Sequence, residues 1–148
     1  NERKTSVAKE KRVTVIAFVC THNACRSQMA EAMARTIMPA EVEVYSAGTD
    51  PASQVDSGAL AELARRNIDA RGLRPKALRE LSSVDWLITM GCGVSCPALP
   101  CRHREDWGLT DPTGGPATAY KACADAIEHN LHDLRDKLCQ ERDGRRGV

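Results

Sequence analysis

Val13 to Val19 (VTVIAFV) is a continuous apolar and β-branched run. Such a run suits a strand covered on both faces, as in a parallel sheet. From Ser27 onward Met29, Met33 and Ile37 recur at helical spacing, and Pro39 follows where that helix should stop. Val42 to Ser46 (VEVYS) alternates and predicts a less buried strand. Asp56 is placed to cap a helix whose inner face holds Leu60, Leu63 and Ala64. Leu78 and Leu81 suggest a short helical segment, and Trp86 to Met90 (WLITM) reads as another buried strand. A short fourth strand is expected near Cys101 to His103. The clearest element is the last one. Tyr120, Cys123, Ile127, Leu131, Leu134 and Leu138 repeat at three and four residues among charged neighbours. Strands alternating with helices predict an α/β sandwich, a single domain with a mainly parallel four-stranded sheet flanked by helices. Its expected limits are residues 13–140. Residues 1–12 read as a flexible extension and the Arg- and Gly-rich residues 141–148 as a frayed tail.

Length and composition narrow the class. A chain of 148 residues fits one domain and can bury roughly 70% of its unfolded surface. A net charge of +1 implies no strong field for nucleic acid or a membrane, and neither is expected as a partner. No run of about 18 apolar residues predicts a transmembrane helix. The polar first dozen residues carry no signal-peptide core, so a cytoplasmic location is expected. Seven cysteines are many for this length. An odd count without a signal peptide argues against a secreted disulfide framework. In a reducing compartment such cysteines are catalytic, redox-active or metal-binding.

Cys20 ends the first strand, and Thr21, His22, Asn23, Ala24, Cys25, Arg26 and Ser27 lead into the first helix. Ligands of open parallel sheets bind at the carboxyl ends of strands. A loop running into a helix N-terminus turns backbone N–H groups inward and makes an anion nest. The helix dipole and the Arg26 charge favour a thiolate at Cys20. Arg26 offers a planar fork of donors to a tetrahedral oxyanion. Ser27 can donate its hydroxyl to the thiolate. Eight residues thus supply a nucleophile, an anion cradle and a fixed positive charge.

A cysteine, five residues and then Arg-Ser is the signature of protein tyrosine phosphatases, and its place after the first strand resembles the low-molecular-weight branch. The longer string CTHNACRSQMAEA resembles the thioredoxin-coupled arsenate reductases built on that branch, as do VYSAG at 44–48 and DWGLTDPTG at 106–114. The resemblance covers roughly residues 13–140. It implies Cys20 as nucleophile, Arg26 as oxyanion binder, Asn23 as the residue that shapes the loop and Ser27 as stabiliser of the thiolate. Asp111, in the Asp-Pro pair, matches the general acid. It also implies arsenate as substrate, with phosphate or sulfate as mimics, thioredoxin as external reductant, and no bound redox cofactor. The plain phosphatases show tyrosines just after the Asp-Pro pair, where Thr113-Gly114 stands here.

A second pair of cysteines, Cys92 and Cys96, follows the third strand on a loop containing Gly91 and Gly93. If residues 92–96 form a helical turn, their Cα atoms lie about 6 Å apart, within disulfide range. The reductases carry such a pair on this loop. The resemblance therefore implies a relay in which Cys92 attacks Cys20 and Cys96 resolves it, with the glycines as hinges. An alternative makes Cys92, Cys96, Cys101 and His103 four zinc ligands, though the spacing is irregular. The leading reading assigns no metal. A phosphotyrosine phosphatase using only the first site is the runner-up. Cys25, Cys101 and Cys123 are expected to pack, with a protecting or inhibiting Cys20–Cys25 disulfide as the alternative for Cys25; Cys139 is expected to be inert, and His129 and His132 to face solvent. Some reductases of this family bind potassium beneath the anion loop, and Glu31 and Ser46 match two of its ligand positions. At Arg74-Pro75-Lys76 cations replace the expected Thr and Asp, so Lys76 is expected to take the ion's place.

Overall fold

The structure, a computed structural model, describes residues 13–91 and 99–147. Cys92 and Cys96, and hence the expected relay pair, lie outside the described residues. The sheet contains β1 (Val15–Cys20), β2 (Glu43–Gly48), β3 (Val84–Thr89) and β4 (Cys101–Asp106) in the order β2-β1-β3-β4. All its pairings are parallel. Three α-helices, α1 (Arg26–Ile37), α2 (Ser57–Arg65) and α3 (Ala117–Gly147), join them, with a 3₁₀ turn at Leu78–Glu80.

Alternation along β1 divides the core. Ile16, Phe18 and Cys20 face a cluster built with Met29 and Met33 of α1, Leu63 of α2 and the Ile127–Leu131–Leu134 stripe of α3. Ala17 and Val19 face the opposite way, in a smaller cluster with Leu87 and the partly buried Leu78, Leu81 and Leu99. A strand whose successive side chains point to opposite faces must be apolar throughout to serve both clusters, which explains the unbroken β1 run. The six apolar positions expected to face inward on α3 are all buried.

Three boundaries differ from the sequence pattern. On α2 the buried residues are Ala59, Glu62 and Leu63, while Leu60 is 37% exposed and Ala64 is exposed. The helix is turned so that Glu62 faces in, and it tolerates burial because Arg65 and Arg66 bond its two carboxylate oxygens at 2.8 and 2.7 Å. Strand β4 continues to Asp106, past His103, because its register with β3 holds to the pair Thr89–Asp106. As an edge strand it is only half-buried at alternate positions, so its sequence marks it weakly. Helix α3 continues past Gln140 to Gly147, with Glu141 bonded to His103 at 2.6 Å and Arg142 to Glu41 at 2.7 Å.

Parallel pairing sets the site. Cys20 is in register with Gly48, and Val19 with Thr89, so the carboxyl ends of β1, β2 and β3 lie at one edge. Gly91 leaves that edge at φ +94°, and a Cβ there would fall 2.8 Å from the Cα of Gly108. Gly91→Ala is expected to cost about 1–3 kcal/mol, from backbone strain and the close approach together. Urea unfolding measures it; an unchanged midpoint would show that the two segments are not held together.

Candidate active site

Residues 20–25 wrap around the Cys20 sulfur because every carbonyl in the loop is engaged on its outer side. The carbonyls of Cys20, Thr21, His22 and Ala24 accept from Thr49, Asp50, Ala52 and Asp56 at 2.8–3.3 Å. The Asn23 carbonyl accepts from Gln28 Nε2 at 2.8 Å and the Cys25 carbonyl from Met29 at 2.9 Å. In a planar trans peptide N–H and C=O point opposite ways, so the amides of residues 21–26 turn inward. The Asn23 N–H shows the result directly, donating to Cys20 Sγ at 3.2 Å. The Cys25 side chain bonds none of the free N–H groups of α1, so the first turn keeps them for an anion.

Asn23 adopts φ 51°, a left-handed conformation that asparagine tolerates better than most residues. Its side chain donates to Ser27 Oγ at 2.7 Å and to Ser46 Oγ at 3.0 Å, and its Oδ1 accepts from the Lys76 amide at 2.8 Å. Ser27 Oγ in turn lies 2.9 Å from Cys20 Sγ. With its oxygen already accepting from Asn23, the Ser27 hydroxyl is left to donate to sulfur. A thiolate at Cys20 therefore receives two hydrogen bonds, and its neighbour is the positive end of α1. Asn23 and Ser27 are fully buried. They stand behind the loop rather than along the cleft, and act on the sulfur and the loop shape.

Arg26 is 9% exposed and fixed. Its Nη1 donates to the carbonyls of Met90 at 2.9 Å and Leu109 at 2.8 Å. Its Nη2 lies 4.0 Å from Asp111 Oδ2 across the cleft. The cleft holds about 400 Å³ with Cys20 and Arg26 at its base, and Thr21, His22, Ala24, Cys25 and Asp111 also line it. Ala52, Ser53, Gln54 and Val55 contribute a further stretch of its lining. Burial raises the Asp111 carboxyl, but bonds from the Thr113 hydroxyl and amide outweigh it with help from Arg26, and the net shift is downward. The carboxyl is ionised in the free protein at neutral pH. A dianion bound beside it pushes the other way, toward a protonated acid.

Among the described residues, three further cysteines are placed as packing residues. Cys25 is buried, and that burial, partly offset by the Thr113 hydrogen bond, pushes its thiol up to about 12. Cys123 sits in the core with its thiol pushed up to about 11 by burial. Cys101 packs against the smaller cluster and Cys139 is exposed. His103 stacks on Trp86 with centroids 4.2 Å apart and bonds Glu141, so its ring has other partners than a metal. His129 and His132 are exposed.

Beneath the loop, Lys76 Nζ lies 3.3 Å from both Glu31 Oε1 and Ser46 Oγ and 2.7 Å from the Arg74 carbonyl. Arg35 also bonds the buried Glu31, and Ser46 donates to it. Burial lowers the Lys76 ammonium, with Glu31 opposing. These residues do not fit a potassium ion, because the tethered ammonium fills its place among the oxygens. Three contacts are not legible in the sequence. His22 Nδ1 lies 2.9 Å from the Asp50 carbonyl, and the Arg26 anchors come from residues 64 and 83 positions away. No local spacing reports pairings of that range.

Two substitutions test this arrangement. Ser27→Ala removes the hydroxyl 2.9 Å from the Cys20 sulfur, a hydrogen bond worth about 1.5–3 kcal/mol to the sulfur once it is deprotonated for attack. Alkylation of Cys20 by iodoacetamide at neutral pH should slow at least tenfold; an unchanged rate would remove Ser27 from the site. Asp111→Asn removes a negative charge facing the anion. Phosphate should bind several-fold tighter at neutral pH by calorimetry, and weaker binding would place Asp111 elsewhere.

Comparison with known proteins agrees with the site. The family model described as low molecular weight phosphotyrosine protein phosphatase matches residues 15–144. A glutaredoxin arsenate reductase of Synechocystis is 30% identical over 128 residues, covering 83% of this chain and 97% of the relative. A solved arsenate reductase in a phosphate-binding state superposes with a TM-score of 0.78 at 30% identity, covering 84% of this chain and 98% of the other. A thioredoxin-dependent arsenate reductase of Corynebacterium glutamicum gives 0.72 at 30% identity, covering 95% of this chain and 71% of the other. With its anion loop, its parallel sheet and these relatives in agreement, the chain belongs to the low molecular weight phosphotyrosine protein phosphatase family, among the arsenate reductases built on that fold.

Proposed function

We propose that this protein reduces arsenate to arsenite in the cytoplasm, using Cys20 as nucleophile and a Cys20–Cys92–Cys96 disulfide relay regenerated by thioredoxin. The observation that carries the reading is the cleft itself. Cys20 lies in a cleft of about 400 Å³ whose wall includes the segment Ala52 to Val55, and Thr113 stands beside the acid. A tetrahedral oxyanion finds donors on the loop and on Arg26, whereas an aryl group would find no flat apolar surface on that wall. A fixed guanidinium and inward amides stabilise the charge that builds as sulfur attacks.

In the first step the Cys20 thiolate attacks arsenic and Asp111 delivers the proton with which an oxygen leaves as water. Cys92 then attacks Cys20 sulfur. The arsenic–sulfur electron pair stays with arsenic, which departs as arsenite, and two thiols have become one disulfide. Cys96 attacks Cys92, frees Cys20 and leaves a Cys92–Cys96 disulfide. Thioredoxin supplies two electrons and restores the thiols. The electrons come entirely from thiols, so the scheme uses no bound cofactor. Relatives carry both thioredoxin and glutaredoxin in their names. A resolved intramolecular disulfide suits a dithiol protein such as thioredoxin.

Turnover of arsenate with thioredoxin, its reductase and NADPH tests the reading, run beside hydrolysis of an aryl phosphate. Arsenate should drive NADPH oxidation, with only slow phosphate release. Cys96→Ser should stop after one turnover with a Cys20–Cys92 disulfide seen by non-reducing peptide mapping. Cys92→Ser should fail before that point. Brisk aryl phosphate hydrolysis without any thioredoxin oxidation would instead establish the phosphatase reading. Repeated turnover by Cys96→Ser on thioredoxin alone would end the three-cysteine relay.

A further inference from the structure

Tyr120 belongs by its spacing to the apolar stripe of α3, yet its hydroxyl is spent on polar partners. It is 5% exposed and donates to Asp56 Oδ2 at 2.7 Å. The Tyr120 hydroxyl oxygen accepts from the Gly114 amide at 3.2 Å. Burial first and the Asp56 bond second push the phenol up to about 12, so it stays protonated and able to donate. Both partners bear on the cleft. Asp56 lines it, caps α2 by accepting from the Ala59 amide at 3.2 Å, and donates its own amide to the Ala24 carbonyl of the anion loop at 2.9 Å. Gly114 directly follows Thr113, whose hydroxyl and amide hold the Asp111 carboxylate at 2.6 and 3.1 Å. Gly58 lets the ring approach, since a Cβ there would lie 2.2 Å from Tyr120 Cζ.

We infer that Tyr120 is a positioning residue for the reaction: its hydroxyl straps the Asp111-bearing turn to the wall of the cleft that carries Asp56 and, through Asp56, to the anion loop. The inference rests on the proposed role of Asp111 as acid. Without the strap the turn keeps its short contacts, including Gly115 N to the Pro112 carbonyl at 2.8 Å, and its links to Cys25 and Arg26, but loses its tie to Asp56. Asp111 then samples positions too far from the leaving oxygen, and a shift of about 1 Å in a reacting group is enough to slow chemistry many-fold. Oxyanion binding depends on Arg26 and the loop amides, which do not touch Tyr120.

A double-mutant cycle decides it. In Tyr120→Phe, kcat for arsenate should fall roughly tenfold, with neither KM nor the phosphate Kd rising. In an Asp111→Asn background the same change should have almost no further effect. Gly58→Ala, which pushes the ring away yet favours the helix itself, should reproduce the loss in kcat. Losses that multiply in the double variant, or phosphate affinity falling in step with kcat, would overturn the inference. A second readout needs no turnover: hydrogen exchange at the Gly114 amide should quicken at least several-fold in Tyr120→Phe. If the wild type turns over neither arsenate nor aryl phosphate, the functional reading fails, and the amide alone judges the strap. Unchanged exchange there would refute it.

Discussion

The site depends on the side chain of Asn23. In a left-handed conformation this one residue turns the chain between β1 and α1 and occupies its side-chain donors and acceptor with three different segments. Ser46 comes from β2, Ser27 from α1 and the Lys76 amide from the segment before the 3₁₀ turn. Its amide goes to Cys20 sulfur. Because these partners fix the peptide planes, the loop amides converge on one point without an anion to draw them there. Buried polar groups that are fully bonded rigidify a site, and one lost partner leaves the others unsatisfied. The nucleophile is thereby built into the sheet edge rather than carried on a flexible loop.

Charge is layered around that point. Above the sulfur stand Arg26 and the N-terminus of α1, both favouring an anion. Across the cleft Asp111 opposes it while ionised and helps it once protonated, so the bound dianion itself sets up the acid. Below the loop Lys76 and Arg35 balance the buried carboxylate of Glu31, which would otherwise face the sulfur's support as an unpaired charge. The tethered ammonium makes this balance part of the chain. Tyr120 and Asp56 close the arrangement laterally, joining the two walls of the cleft.

Patterns of local range were legible in the sequence. The β1 run, the α3 stripe and the cysteine-to-arginine loop each lie within one element, where period and spacing report directly on structure. The Asp56 cap was visible for the same reason. The face of α2 was misjudged because Glu62 reads as a solvent residue until its two arginines are seen to neutralise it. Edge strand β4 carried little signal because half its side chains face water. The anchors of Arg26 and the polar ends of Tyr120 were hidden by sequence distance, and Tyr120 looked like one more apolar position of its helix. Lys76 was found through the resemblance, as a charge where the family carries other residues; its contacts with Glu31 and Ser46 confirm the position.

The central claim is that the protein's own thiols supply the electrons for an oxyanion held at Cys20. It is tested most directly by a single turnover with no external reductant. Fully reduced protein is mixed with excess arsenate under anaerobic conditions, and arsenite and the remaining thiols are counted. The account predicts one arsenite formed and two thiols lost for each chain, with neither change in Cys20→Ser. Thiols that stay intact while no arsenite appears would contradict it.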